Sequence, residues 1–222
     1  MLYELAAFLL AGDPVAGIRN GADVLLKSLF LTLGGHHGLL VFNAILLGAG
    51  AVLVGRDLRR NGQGLKAGIF VGMAAESAAG GLVFGMVAGA LTALLLHGAP
   101  ALMATVQGTS SLDLPTQLMV SLGAGIYEEL LFRVLLVGSL AWVARRLFGW
   151  TPLAAGVAAT LLGALVFSAF HYVGPYGDPL ELGSFTFRAV AGILFSAMYL
   201  LRGLGITAWT HALYDVFLTL MM

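Results

Sequence analysis

Long apolar runs separated by short polar breaks dominate the pattern of hydrophobic and polar positions in this chain. The clear runs cover about 38–54, 67–97, 117–144, 152–171, 186–201 and 205–221. About 20 consecutive apolar residues are needed for a helix to cross the hydrocarbon core of a bilayer. The pattern therefore predicts an all-α fold, a polytopic transmembrane helical bundle with about six or seven membrane helices.

Residues 1–35 are less regular, because polar and charged residues interrupt their apolar positions. They predict either an interfacial amphipathic helix or a short first span. A polar loop is expected over 98–116, and the glycines and prolines of 174–179 predict a helix end just after His171. Glu76, inside the second clear run, is expected to pair with Arg188 or another basic residue, or to line a cavity.

The amino-acid composition agrees with a bilayer environment and argues against several classes of function. Hydrophobic residues make up 59% of the 222 residues, charged residues make up only 10%, and the mean hydropathy is +0.96. Lys and Arg total 11, as do Asp and Glu, so the charge balance argues against nucleic acid as a partner. With no cysteine in the sequence, thiolate nucleophiles and cysteine-ligated metals are excluded. The high alanine and glycine content is typical of a bacterial source and predicts an integral protein of the bacterial cytoplasmic membrane.

Ionisable residues inside the apolar runs are the candidates for chemistry, since a charge at the centre of a membrane helix costs at least about 2.5–3.5 kcal/mol. In the run 117–144, Glu129 and Arg133 lie four residues apart, which allows a neutralising pair on one helix face. Glu128 points about 100° away from Glu129 on a helix. It is therefore left to face a cavity and to exchange a proton. The alternative is that all three residues form a structural ion cluster between helices.

Two histidines lie in comparable patterns in later runs. His171 follows Phe167 by four residues and comes just before a helix-breaking region, while His211 lies four residues before Asp215. Each pattern alone also fits a packing histidine or a helix-stabilising pair. Helix rise would place His171 and His211 about 15 Å apart in depth. A tilt or a shifted helix boundary is needed to bring them together.

The order of these patterns on successive helices is more specific than any of them alone. The combination reads Glu128-Glu129-xxx-Arg133, then Phe167-xxx-His171, then His211-xxx-Asp215. It resembles the CAAX-protease and bacteriocin-processing (CPBP, or Abi) family of glutamate-type intramembrane proteases, which includes Ras-converting CAAX endopeptidases. The resemblance covers about 128–215. We expect one integral membrane domain over 1–222, with the catalytic helices in 117–221.

The resemblance implies a role for each matched residue. Glu128 and His171 would activate a water that attacks a peptide carbonyl, and His211 with Asp215 would stabilise the oxyanion. CAAX-type members tend to have Asn where this chain has Asp215. Asp215 is therefore either kept protonated by burial or accepts a hydrogen bond from His211 and orients it. Three further residues would support the site: Glu129, Arg133 and Phe167.

Three alternatives stay open on sequence alone. Glu128, His171 and His211 would also make a three-ligand zinc site, although we expect no metal and no other cofactor. The same scaffold would suit a non-catalytic binding or immunity protein, or a small transporter, whose usual inverted repeats are not visible. The expected partners are the lipid bilayer and a membrane-anchored protein or peptide substrate. The sequence sets neither the identity of that substrate nor the oligomeric state.

Overall fold

The computed structural model describes residues 2–11, 18–61, 66–96, 112–174 and 177–221. The α-helices in these ranges are α1 Leu2–Ala11, α2 Gly21–Asn61, α3 Ala67–Leu95, α4 Leu114–Gly123, α5 Gly138–Phe148, α6 Pro152–Phe170 and α7 Leu182–Met221. Two π-helical segments, Ala124–Glu128 and Leu130–Val137, join α4 to α5. The described ranges contain no strand, and the prediction of an all-α fold is confirmed.

The last helix, α7, folds back on itself at Gly203. This residue has φ 79° and ψ 174°, a backbone conformation that residues with a Cβ rarely adopt. The rings of Phe195 and His211, on either side of it, stack with their centroids 4.3 Å apart. A continuous helix would separate two residues at this spacing by about 24 Å. α7 is therefore a pair of antiparallel arms, a first arm over 182–202 and a second arm over 204–221.

A similar reversal divides α2 at Gly35, which has φ 56° and ψ −144°. The rings of Phe30 and Phe42 lie 5.3 Å apart across it, whereas a continuous helix would separate them by about 18 Å. The first arm of α2 covers 21–34 and the second arm covers 36–61. The first arm belongs to the segment that the sequence predicts as either an interfacial helix or a short first span.

Four helices in the described part of the chain are long and apolar enough to cross a membrane: Gly21–Arg56, Ala67–Leu95, Pro152–Phe170 and Leu182–Met221. This number is smaller than the six or seven predicted. One reason is that the predicted run 117–144 is divided between α4, the π-helical segments and α5, which are individually short. The other is that Leu182–Met221 is counted here as one helix, although its two arms correspond to two of the predicted runs.

The outer faces of these helices expose many large apolar side chains. Leu33, Leu94, Leu153 and Leu201 are each 76–80% exposed. Exposed apolar surface on this scale suits contact with lipid acyl chains and would be costly in water. The chain is an integral membrane protein.

Close helix packing at glycines places the second arm of α7 against α3 and the first π-helical segment. A Cβ at Gly81 of α3 would lie 3.0 Å from the Tyr214 backbone nitrogen. A Cβ at Gly125 would lie only 2.2 Å from the carbonyl oxygen of Ala208. These glycines let the backbones approach, as small residues do in membrane helix pairs. The packing brings the helix that carries Glu128 next to the arm that carries His211.

Local sequence signals explain where α5 ends and α6 begins. Gly149 has φ 65° and closes α5 in the left-handed conformation that glycine favours. Thr151 is the N-cap of α6, since its side-chain oxygen accepts a hydrogen bond from the Ala154 amide at 3.3 Å, and Pro152 follows at the first helical position. α6 then runs to Phe170, as the predicted end near His171 requires.

Glu76 and the loop predicted over 98–116 lie outside the candidate site. Glu76 pairs with Arg202, the last residue of the first arm of α7, at 2.6 Å between Oε1 and Nε. Arg188, the first partner expected for it, instead forms an ion pair with Asp178. Most of the loop predicted over 98–116 lies outside the described residues.

Candidate active site

A cavity of about 670 Å³ opens between α2, α4, the first π-helical segment, α6 and α7. The predicted site residues that line it are Glu128, Phe167, His171, His211 and Asp215. Three separate regions of the sequence therefore meet at one cavity. Its volume lies within the usual range for ligand-binding pockets.

Glu128 ends the first π-helical segment and is 6% exposed. Its two oxygens have different surroundings. Oε1 accepts a hydrogen bond from Asn20 Nδ2 at 2.8 Å. Oε2 lies 3.8 Å from His171 Nε2 and has no hydrogen-bond partner among the described residues. One oxygen is thus held in place, and the other faces His171.

His171 follows the last residue of α6, and its side chain is 25% exposed. Nδ1 lies 2.9 Å from the carbonyl oxygen of Phe167. A carbonyl oxygen can only accept, so the proton of a neutral His171 is on Nδ1. The lone pair of the neutral ring is then on Nε2, the nitrogen that faces Glu128.

Glu129 and Arg133 form a buried ion pair on the same helix, at 3.1 Å between Oε2 and Nε. The two side chains are 0% and 1% exposed. Glu129 also accepts a hydrogen bond from His211 Nδ1 at 2.7 Å. The Arg133 guanidinium lies over the Phe167 ring, 4.4 Å from its centroid. Glu129 therefore links the cation of its own helix to the histidine of α7.

His211 is flanked by two aromatic rings and by two carboxylates. Phe195 stacks on one side of the ring, and Phe167 approaches it edge-on with centroids 6.1 Å apart. Nδ1 is bound by Glu129, and Nε2 lies 3.6 Å from Asp215 Oδ2. This last distance is too long for a hydrogen bond. The hydrogen bond that fixes the ring comes from Glu129, a partner that the sequence patterns do not suggest.

Asn20 is the site residue that sequence reasoning missed. It lies at the start of α2, is 3% exposed, and lines the same cavity. The sequence signal was an Asn directly before an apolar helix. It was weak, because an Asn in that position is also an ordinary N-cap. Its distance of 108 residues from Glu128 leaves no spacing pattern to find.

A cluster of charges holds α1 and the start of α2 together next to Asn20, and we call it the N-terminal cluster: Glu4, Arg19, Asp23 and Lys27. Arg19 Nη1 lies 3.3 Å from Asp23 and 3.4 Å from Glu4, and Lys27 Nζ lies 2.8 Å from Glu4. Tyr127, next to Glu128 in sequence, also donates a hydrogen bond to Glu4. Burial alone would raise the pKa of the Glu4 carboxyl, but the hydrogen bonds from Lys27 and Tyr127 outweigh it and lower this pKa.

The described residues contain no group of three or more His, Asp and Glu side chains arranged to hold a metal ion. Glu128 lies next to His171, and His211 binds Glu129 through Nδ1. These side chains form two acid–imidazole pairs, Glu128 with His171 and Glu129 with His211.

Comparison with known families gives a match in the second half of the chain. Residues 110–217 match the sequence model of the family described as type II CAAX prenyl endopeptidase Rce1-like. Neither the curated proteins nor the solved structures gave a significant match. The matched segment includes both glutamates, both histidines and Asp215, and it leaves Asn20 outside. The resemblance to the CAAX-protease family is confirmed, and residues 110–217 of this membrane protein are an Rce1-like domain of that family.

Proposed function

We propose that this protein is an intramembrane endopeptidase that hydrolyses a peptide bond of a membrane-associated protein or peptide. The observation that carries the proposal is the pairing of Glu128 Oε2 with His171 Nε2, 3.8 Å apart at the wall of the cavity. Membership of residues 110–217 in a protease family supports the class of reaction. The proposal assigns the individual steps to residues of this chain.

Glu128 and His171 together activate the water. An ionised carboxylate and the Nε2 of a neutral imidazole are both acceptors, so a single water can donate one hydrogen bond to each. Two hydrogen bonds of about 2.8 Å span acceptors at this separation. The water then presents its oxygen lone pair to the cavity, where a peptide carbonyl carbon would lie.

Attack forms a C–O bond and breaks one O–H bond of the water, whose proton passes to Glu128. The carbonyl π electrons move to the oxygen and give a tetrahedral oxyanion. Collapse of this intermediate re-forms the carbonyl and breaks the C–N bond. The proton held by Glu128 passes to the departing amine, which restores the carboxylate. General acid–base catalysis of this kind contributes about 10²–10⁴-fold to a rate.

Oxyanion stabilisation falls to His211. When its ring carries both protons, Nδ1–H donates to Glu129 and Nε2–H is available to the cavity beside Asp215. A donor fixed before the reaction can stabilise the developing charge in a site of low dielectric constant. Glu129 orients the ring, and Asp215 flanks the donating nitrogen. Arg133 balances the charge of Glu129 and supports the site from behind.

The test compares wild type with Glu128→Gln, which removes the base and keeps the shape of the side chain. Each is expressed in a strain that lacks the chain, and new protein N-termini are labelled chemically in the membrane fraction. Glu181→Gln is the matched control, because Glu181 is exposed and does not line the cavity. We expect a set of N-termini present with wild type and Glu181→Gln and absent with Glu128→Gln.

Identical N-termini with wild type and Glu128→Gln would contradict the protease proposal and favour a binding or immunity function. A parallel assay uses the protein in liposomes with a synthetic peptide that spans one identified cleavage site. Cleavage that persists in 1,10-phenanthroline supports the Glu–His mechanism. Loss of cleavage that zinc restores would replace it with a zinc-dependent one.

A further inference from the structure

We propose that Asn20 is the positioning residue of Glu128, supplied to the active centre by a segment outside the family domain. The inference rests on the proposed function, since it assigns Asn20 a role in presenting the catalytic base. Asn20 lies at the start of α2, and the matched domain begins at residue 110. The N-terminal part of the chain would thus be a component of the catalytic centre.

Both ends of the Asn20 amide are bound, which fixes its orientation. Nδ2 donates to Glu128 Oε1 at 2.8 Å, and Oδ1 accepts from the Ala22 amide at 2.9 Å. Reversing the side-chain amide would place its oxygen against the carboxylate and its NH₂ against an N–H. Two unfavourable contacts would replace two hydrogen bonds. The observed orientation therefore has the donor on Glu128.

The hydrogen bond controls the plane of the Glu128 carboxylate. The terminal torsion of a glutamate is broad and does not fix the direction of its oxygens. Holding Oε1 at Asn20 fixes Oε2 as well, because the two oxygens share one plane. Oε2 then stays directed at His171, where the proposed water binds.

An amide also leaves the charge of Glu128 intact. Glu129, its neighbour in sequence, is paired with the guanidinium of Arg133. A cation beside Glu128 would stabilise the ionised form and weaken it as a base. Asn20 is neutral, so its hydrogen bond favours the ionised form of Glu128 less than a cation in the same place would. The two glutamates therefore have the partners that a base and a structural anion respectively need.

Asn20 is itself held by the N-terminal cluster. Its backbone N–H donates to the Tyr3 hydroxyl at 3.3 Å, and that hydroxyl donates to Asp23 at 2.8 Å. Tyr3 is 1% exposed and Asp23 is 0% exposed. α1 therefore fixes the backbone from which the Asn20 amide reaches Glu128.

The test uses Asn20→Asp and Asn20→Ser, which separate the two hydrogen bonds of this side chain. Both variants keep an oxygen that can cap α2 at Ala22, as Asp and Ser are good N-cap residues. Neither reproduces the hydrogen bond to Glu128, because an ionised aspartate has no donor and the serine side chain is too short. Serine is the decisive variant, since two adjacent carboxyl groups could share a proton. Asn43→Ser, in the second arm of α2 and away from the cavity, is the matched control.

Activity is measured in liposomes on the peptide that spans an identified cleavage site. We expect kcat to fall by about 100-fold in both variants, the scale of loss when a reacting group is misplaced by about 1 Å. KM should change by less than about threefold, and the melting temperature should stay near that of wild type. Asn43→Ser should retain wild-type kcat.

Wild-type kcat in Asn20→Ser, with normal melting, would overturn the inference and leave Asn20 as a helix cap only. If Asn20→Asp fails to fold, the uncharged Ser variant gives the answer. Failure of the protease proposal has a different signature, because Glu128→Gln would then cleave as well as wild type. Activity in Asn20→Ser together with inactivity in Glu128→Gln would reject the inference alone.

Discussion

Two adjacent glutamates of one helix have opposite surroundings. Glu129 is fully buried, pairs with Arg133 and binds His211. Glu128 faces the cavity, is held by a neutral amide, and directs one oxygen at His171. Two carboxylates that are neighbours in sequence can therefore differ in chemistry, because the side chains that surround each of them differ. The Glu129 side stabilises the site, and we assign the reaction to the Glu128 side.

The largest expected effect is on kcat, and together with the melting temperature it distinguishes the two carboxylates. Glu128→Gln should lower kcat by about 10³–10⁴-fold, the upper range for loss of a general base, with an unchanged melting temperature. Glu129→Gln should lower the melting temperature as well, since it leaves Arg133 without its anion. Steady-state cleavage and thermal unfolding of both variants check this. Equal melting temperatures for the two variants would contradict the contrast.

Removal of Arg133 tests whether Glu129 is a structural anion. Arg133→Met should destabilise the protein by about 3–5 kcal/mol, because the buried Glu129 carboxylate loses its guanidinium partner and keeps the hydrogen bond from His211. Adding Glu129→Gln to Arg133→Met should recover part of that loss, while adding Glu128→Gln should not. Reversible unfolding in detergent measures all three variants. Recovery by the Glu128 substitution would show that the guanidinium serves the other carboxylate.

Gly125 sets the spacing between the helix of the two glutamates and the second arm of α7. Gly125→Ala would place a Cβ 2.2 Å from the Ala208 carbonyl and push the two glutamates away from the second arm of α7. Overpacking of this kind costs about 1–3 kcal/mol, and activity should fall with it. Gly156→Ala on α6 is the matched control, since a Cβ there would have nothing within 4 Å. Similar melting curves for the two variants would show that the contact can relax.

The smallest effect concerns the N-terminal cluster, which holds Asn20 on the Glu128 side of the site. The pKa of Glu4 is below its ordinary value of 4.5, so its contribution to stability is present above that pH. It is lost as the pH falls through the lowered pKa. Wild type should therefore melt above Glu4→Gln at pH 7, and the difference should disappear in acid. A difference in melting temperature that grows as the pH falls would contradict the lowered pKa of Glu4.

The sequence predicted the parts of the structure that follow from local patterns. Apolar runs predicted the all-α membrane fold, and the glycine at 203 lies between two runs that the structure shows as antiparallel arms. The predicted gap in depth between His171 and His211 is not present, because both rings pack against Phe167, with centroids 4.9 Å and 6.1 Å from it. Helix spacing alone could not predict this approach, since it gives neither the tilt of a helix nor its exact ends.

The spacing of residues along the sequence could not predict the contacts that define the site. Glu129 and His211 are 82 residues apart, and Asn20 and Glu128 are 108 residues apart. Their hydrogen bonds depend on the packing of glycines against neighbouring backbones and on the π-helical turns around Glu128. Single-sequence patterns carry neither kind of information. The resemblance gave the residues of the centre but not their partners.

The two arms of α7 have a consequence for biosynthesis. Phe195 and His211 stack on each other within one hairpin, but the Glu129 partner of His211 belongs to a helix made much earlier. His211 reaches that partner only after the chain has turned at Gly203 and the second arm has entered the bilayer. A nascent chain that stops short of this turn lacks one half of the acid–imidazole machinery. The proposed activity would therefore appear late in insertion, after the earlier helices are already in place.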